Sequence, residues 1–143
     1  MSYCTQSDIE EQLDAAVLVQ LTDDAGAGVV ASAVVQRAID DADAEIDAYC
    51  SSRYETPFAA VPAIIRKLSV DMVAYHLYAR RHGAPPERQT RYDAAVRLLK
   101  DVSRGAVSIG AAGVPPVSAG AAGAMSSRSA SDRVFSDSSL AGY

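Results

Sequence analysis

The sequence is poor in the residues on which most binding and catalytic chemistry rests. It has two cysteines and two histidines in 143 residues. Cys4 and Cys50 lie 46 positions apart, without the close pairing of a zinc or redox motif, and both are expected to be small buried hydrophobes in a reducing compartment. His76 and His82 are six apart, which on a helix turns them about 120° away from each other. They therefore do not make the i, i+4 pair of a helical metal site. No glycine-rich phosphate loop, nucleophile elbow or His–acid signature occurs, so no metal, no other cofactor and no enzymatic activity is expected. Also missing are a basic opening followed by an apolar run and any stretch approaching 18 uncharged apolar residues. The expectation is a chain with neither signal peptide nor membrane span, which stays where it is made or joins an assembly there. An excess of positive charge is lacking too. The net charge of −5 argues against a protein that coats nucleic acid.

What is present divides in two. At 49% hydrophobic and 22% charged residues, the chain is globular on average and long enough for one domain with a core. That average hides a break, because residues 110–143 contain 5 Gly, 8 Ala, 8 Ser and 2 Pro among 34 positions. Side chains this small build no core, so the sequence reads as a body, 1–109, and an Ala/Gly/Ser-rich extended C-terminal arm, 110–143. Charge is split as well. Residues 1–55 hold 12 acids against Arg37 and Arg53, net −10, while residues 56–109 hold 4 acids against 9 Lys and Arg, net +5. Either the halves pair within one monomer, or the acidic face of one copy meets the basic face of the next in a head-to-tail contact.

The body reads as four helices, an all-α fold. Ser7-Asp8-Ile9-Glu10 matches a capping box, with Ile9, Leu13 and Val17 as one apolar stripe behind it. Thr22 to Gly28 carries turn formers and two glycines, a loop. From Ser32, the residues Val35, Ile39, Ala42, Ile46, Tyr49 and Arg53 recur at helical spacing. The opposite face carries Asp40, Asp41, Asp43, Glu45 and Asp47, read as a solvated acidic stripe unless it faces a pore. Glu55-Thr56-Pro57 breaks this helix. A third helix over 62–82 is apolar on most sides and should be central, closed by Gly83 and Pro85-Pro86. A fourth begins at Glu87, buries Tyr92, Ala95, Val96, Leu99 and Val102, and ends at Gly105. A short β segment is expected at 107–109 or 133–136.

Two surfaces and the tail are the candidates for function. Arg80, Arg81, Arg88, Arg91 and Arg97, continued by Lys100 and Arg104, form a basic set on the third and fourth helices, suited to an inter-subunit contact. Residues 110–131 read as a linker, whereas Arg133, Val134, Phe135, Leu140 and Tyr143 restore large side chains after a bare stretch. Such an ending suits a tethered peptide that docks by adding a strand or filling a groove, and orders only when bound.

The order of these segments resembles the small virion proteins of Mu-like prophages, a family encoded among head-morphogenesis genes. The resemblance runs through Tyr3-Cys4-Thr5 with Asp8-Ile9, Gln20-Leu21-Thr22-Asp23, Ala42 to Tyr49 with Arg53-Tyr54, Val61-Pro62, and Asp71 to Tyr78. It continues in Arg91 to Ala95 with Leu98-Leu99, and Arg104-Gly105. It implies a head–tail connector, or adaptor, of the virion neck, assembled in the host cytoplasm. Such subunits form a ring, commonly of twelve copies, under the portal protein, with the C-terminal arm on the portal or on neighbouring copies. Implied partners are the portal, neighbouring copies, a tail-terminator or stopper protein, and genomic DNA passing non-specifically through the lumen. Asp40, Asp41, Asp43 and Asp47 would line that lumen, and Arg133, Val134, Phe135, Leu140 and Tyr143 would dock the arm. The alternatives are a tail-terminator or tail-completion protein and, in another class, a small helical DNA-binding regulator using Arg80 to Arg104.

Overall fold

The computed structural model describes residues 1–81 and 83–111. Within them the chain forms five helices and no strand: α1 Gln6–Gln12, α2 Ala15–Thr22, α3 Ser32–Cys50, α4 Ala63–Arg81 and α5 Pro86–Arg104. The three long helices have 19 residues each, and they pack mutually, with α1 and α2 lying on α3 and α4.

The all-α expectation holds, and the count rises from four to five because the first helix is divided. Its cap is Thr5 rather than Ser7: the Thr5 hydroxyl accepts from the Asp8 amide and the Asp8 carboxylate accepts from the Thr5 amide at 2.7 Å. These bonds to Thr5 hold the Asp8 carboxyl below its ordinary value. At Leu13 the backbone becomes extended (φ −119°, ψ 131°), and α2 restarts at a different angle. The physical reason is burial. A straight helix on the Ile9, Leu13, Val17 stripe would turn Leu18 away from the core, whereas the break buries Ile9, Leu13, Leu18 and Leu21 and leaves Val17 half-buried.

Helix α3 buries Val35, Ala38, Ile39, Ala42, Ile46 and Cys50. The last position of its stripe falls on Cys50, so Tyr49 is half-buried and Arg53 exposed. Helix α4 is central, as its composition predicts, and buries residues on every side from Ile65 to Leu77. One of these is Asp71. A carboxylate so placed needs partners, and it receives the Gln12 side-chain amide of α1 at 3.0 Å, Lys67 at 4.0 Å and Arg91 of α5 at 3.7 Å. One acid thus joins three helices.

Helix α5 opens with Pro86 in its first turn and ends at Gly105 in the left-handed region (φ 79°), where glycine avoids the cost that a Cβ would meet. Beyond it, Val107–Ile109 does not form the expected strand. Val107 is exposed, Ile109 is buried, and the Ile109 amide donates to the Tyr54 hydroxyl at 3.3 Å instead of to a neighbouring strand. The other segment expected to be extended, 133–136, lies outside the described residues.

The burial pattern predicts a steep contrast in stability. Ile46→Ala empties a fully buried site between the long helices and should cost about 2–5 kcal/mol, read as a lower urea midpoint at unchanged slope. Val107→Ala, on the exposed exit from α5, should stay within about 0.5 kcal/mol of the parent.

Candidate functional site

The acidic face of α3 is shared between solvent and the N-terminal segment. Tyr3 is buried and lies across it. Its amide donates to Asp43 Oδ2 at 3.0 Å, its hydroxyl donates to Asp47, and that same hydroxyl accepts from the Phe58 amide at 3.2 Å. Ser69 of α4 donates to Asp43 Oδ1 at 3.2 Å and also lies 3.2 Å from Cys4 Sγ. Asp43 and Asp47, expected on a solvated stripe, are therefore tied within the chain. The correction has a simple cause: Tyr3 and Cys4 are apolar enough to be buried, and burying their backbone requires acceptors on α3. Asp40 and Asp41 do remain exposed, with Asp40 accepting from Gln36 at 2.8 Å. Burial raises the Asp43 carboxyl above its ordinary value, and it also pushes the Cys4 and Cys50 thiols up to about 11. Both cysteines are buried free thiols.

The expected basic face is likewise divided. Arg80 donates to the Leu21 carbonyl at 3.1 Å and pairs with Asp24. Arg81 donates to the Asp23 carbonyl at 2.8 Å and pairs with Asp24 at 3.2 Å. These two guanidinium groups satisfy carbonyls at the end of α2 that have no helical partner. Arg91 pairs with Glu87 at 3.1 Å as well as with Asp71. Arg88 lies over the Tyr78 ring, 5.9 Å from its centroid, and 3.4 Å from Gln12 Oε1. Arg97 is different. Its Nε donates to the Asp93 carbonyl at 3.3 Å, and with Lys100 and Arg104 it lies exposed on α5 with no ion pair among the described residues.

At the end of α5, the Arg53 guanidinium lies against Gly105, and a Cβ there would collide with it. Tyr54 packs on Phe58 (centroids 6.2 Å apart) and Phe58 on Tyr3 (5.5 Å). This aromatic row is bonded through Tyr54 to Ile109, two residues before the last described position. Beside it is a cavity of about 500 Å³ lined by Pro57, Phe58, Ala60, Gly110 and Ala111 among others. The docking residues Arg133, Val134, Phe135, Leu140 and Tyr143 lie outside the described residues.

A second polar cluster sits where α3, α4 and α5 meet. The Tyr92 hydroxyl donates to Glu45 Oε1 at 2.8 Å, Tyr75 stacks on Tyr92 at 4.2 Å, and His76 Nε2 approaches Glu45 Oε2 to 3.6 Å without a hydrogen bond. Burial raises the Tyr92 hydroxyl above its ordinary value. Among the described residues no three His, Cys, Asp or Glu side chains converge as metal ligands, and no helix is long and apolar enough to cross a membrane.

The Asp43 environment predicts a pH effect. A carboxyl raised in the folded state binds its proton more tightly there than in the unfolded chain, so its contribution improves as pH falls through the folded value toward the unfolded one. Asp43→Asn removes that ionisation. The stability of the parent minus that of the variant should therefore grow more favourable from about pH 7 to about pH 4, measured by urea unfolding across that range.

Comparison with known proteins places this chain. "Mu-like prophage FluMu protein gp36" of Haemophilus influenzae is 35% identical over 78 residues, which make up 54% of this chain and 54% of that protein. The chain thus spans about half the length of the curated relative it matches. The family described as Bacteriophage Mu, Gp36 matches residues 3–127. That match takes in all five helices and the start of the small-residue segment, and the chain belongs to this phage protein family.

Proposed function

We propose that this chain is a structural subunit of the phage neck, a head–tail connector that forms a ring under the portal, extends the DNA channel and offers a surface to the tail. The family supports a phage assembly role. The observation that supports the finer reading is the bond of the Ile109 amide to the Tyr54 hydroxyl, which ties the chain after α5 onto the helical body just before a stretch of sequence too poor in large side chains for a core of its own, with large side chains returning at Arg133.

The mechanism requires no bond chemistry. The body supplies a rigid block, because its buried acids are paired and its five helices share one core. The segment beyond it supplies attachment: Val134, Phe135, Leu140 and Tyr143 enter apolar sites on the portal and Arg133 meets an acid there. One such peptide binds weakly after the cost of ordering it. Repetition around a ring turns the weak contacts into a lasting one, since each further arm binds at high effective concentration. Asp40 and Asp41, the exposed pair on α3, are placed on the lumen, where like charge keeps passing DNA from sticking. Asp43 and Asp47 are left out of that role by their bonds to Tyr3. The tail-terminator or stopper protein then meets the ring's far side, in the virion neck.

Deleting 132–143 tests the reading. Helical content by circular dichroism should persist, while binding to purified portal protein should weaken by at least about tenfold, a loss of the size that truncating several anchors produces. Rings on the portal should disappear from electron micrographs. Undiminished portal binding would remove the docking role, and binding to tail tubes in place of portals would favour a tail-completion protein.

A further inference from the structure

Among the exposed charges outside the internal ion pairs, two groups are each of one sign and lie on different flanks. On α5, Arg97, Lys100 and Arg104 recur at i, i+3 and i+7, so they share one face and span about 10 Å along the axis. Arg53 lies against Gly105 at the end of that face, and Asp101 is the one acid from 94 to 105. At the α1–α2 corner, Glu10, Glu11 and Asp14 are exposed and make no ion pair among the described residues. Arg66 and Lys67, across the cleft between α1 and α4, are the bases nearest in that cleft, yet neither reaches them.

The two patches are separated within one copy. Gln12, beside Glu11 and Asp14, meets α5 at Arg88, and Arg97, Lys100 and Arg104 follow Arg88 by 9, 12 and 16 residues, about 14 to 24 Å further along that helix. The α3 acids are poorer complements. Asp40 is held by Gln36 as Glu10 is by Gln6, but Arg37 lies one turn before Asp40 and Asp41 on the same helix, whereas no Lys or Arg precedes Arg37 near Glu10, Glu11 and Asp14.

We infer that the α5 face at Arg97, Lys100 and Arg104 seats the α1–α2 corner of a second copy of this chain, at Glu10, Glu11 and Asp14, in a head-to-tail contact. The inference rests on the ring reading and supplies its lateral contact. Because the two surfaces differ, each copy keeps one of each to offer onward, the arrangement that makes a ring when the rotation per copy closes and an open filament when it does not. A protein partner fits the basic face better than nucleic acid does, since its complement is carried by the same chain and the chain is acidic overall.

Charge reversal in the full chain tests the contact by sedimentation velocity at low and high salt. The parent should self-associate at low salt and weaken as salt rises. R97E/K100E/R104E and E10K/E11K/D14K should each self-associate at least about tenfold more weakly, through like charges opposed at the contact. Their equimolar mixture should recover association, because every junction in an alternating A–B series again opposes unlike charge. One chain carrying both reversals should assemble with itself. R97Q/K100Q/R104Q, a milder change, should give an intermediate loss if the reversed form folds poorly by circular dichroism.

Parent association that neither reversal weakens would overturn this contact and leave the ring intact. A parent that stays monomeric at every salt and concentration would overturn both. Salt-sensitive binding of a DNA duplex, lost in R97E/K100E/R104E without any change in self-association, would assign the face to nucleic acid and overturn the inference.

Discussion

A carboxylate taken out of water must be given partners, and buried Asp71, with half-buried Asp43 beside it in this role, organises the body. Asp71 sits in the central helix, and the groups that satisfy it come from α1, from its own helix and from α5. Asp43 sits on the flank of α3 and is satisfied by the backbone of Tyr3 and by Ser69. Leaving Asp71 unpartnered would cost several kcal/mol. The short α1 and the residues before it bury Tyr3, Cys4 and Ile9, and these polar bonds fix where they lie. The N-terminal segment is thereby part of the block.

The same demand decides which charges are left for other molecules. Arg80 and Arg81 close the end of α2, Arg91 turns inward to Asp71 and outward to Glu87, and Asp47 holds the Tyr3 hydroxyl. These groups contribute to the shape of one subunit. The bases of the C-terminal half of α5 and the acids of the α1–α2 corner have no such duty. Net charge by halves overstated the exposed charge, since part of each half neutralises the other across α4.

Much of the fold is legible in the sequence because it depends on spacing. The 3.6-residue recurrence from Val35 to Ile46, the Gly83 and Pro85-Pro86 boundary, and the apolar girth of α4 all predict the three long helices. The first forty residues were harder. Ser7 and Thr5 are both good caps, and their sequences do not reveal that Asp8 at the third position favours Thr5. Leu13 fits a continuous stripe as well as a break, and only the need to bury Leu18 decides between them. The candidate surfaces were less legible for a related reason. Periodicity says which residues face outward from a helix, but Asp43 and Asp47 face outward into Tyr3, a partner some forty residues away. Long-range polar pairing has no local signature.

The row Tyr54–Phe58–Tyr3 also has a mechanical meaning. Ile109 is buried and bonded to the Tyr54 hydroxyl, and Ala111 packs against the core. Tyr54 follows α3, the Phe58 amide donates to the Tyr3 hydroxyl, and that hydroxyl is bonded to Asp47 on α3. A load that reaches the body at 109–111 is therefore passed to the side of α3 as well as to the last turn of α5.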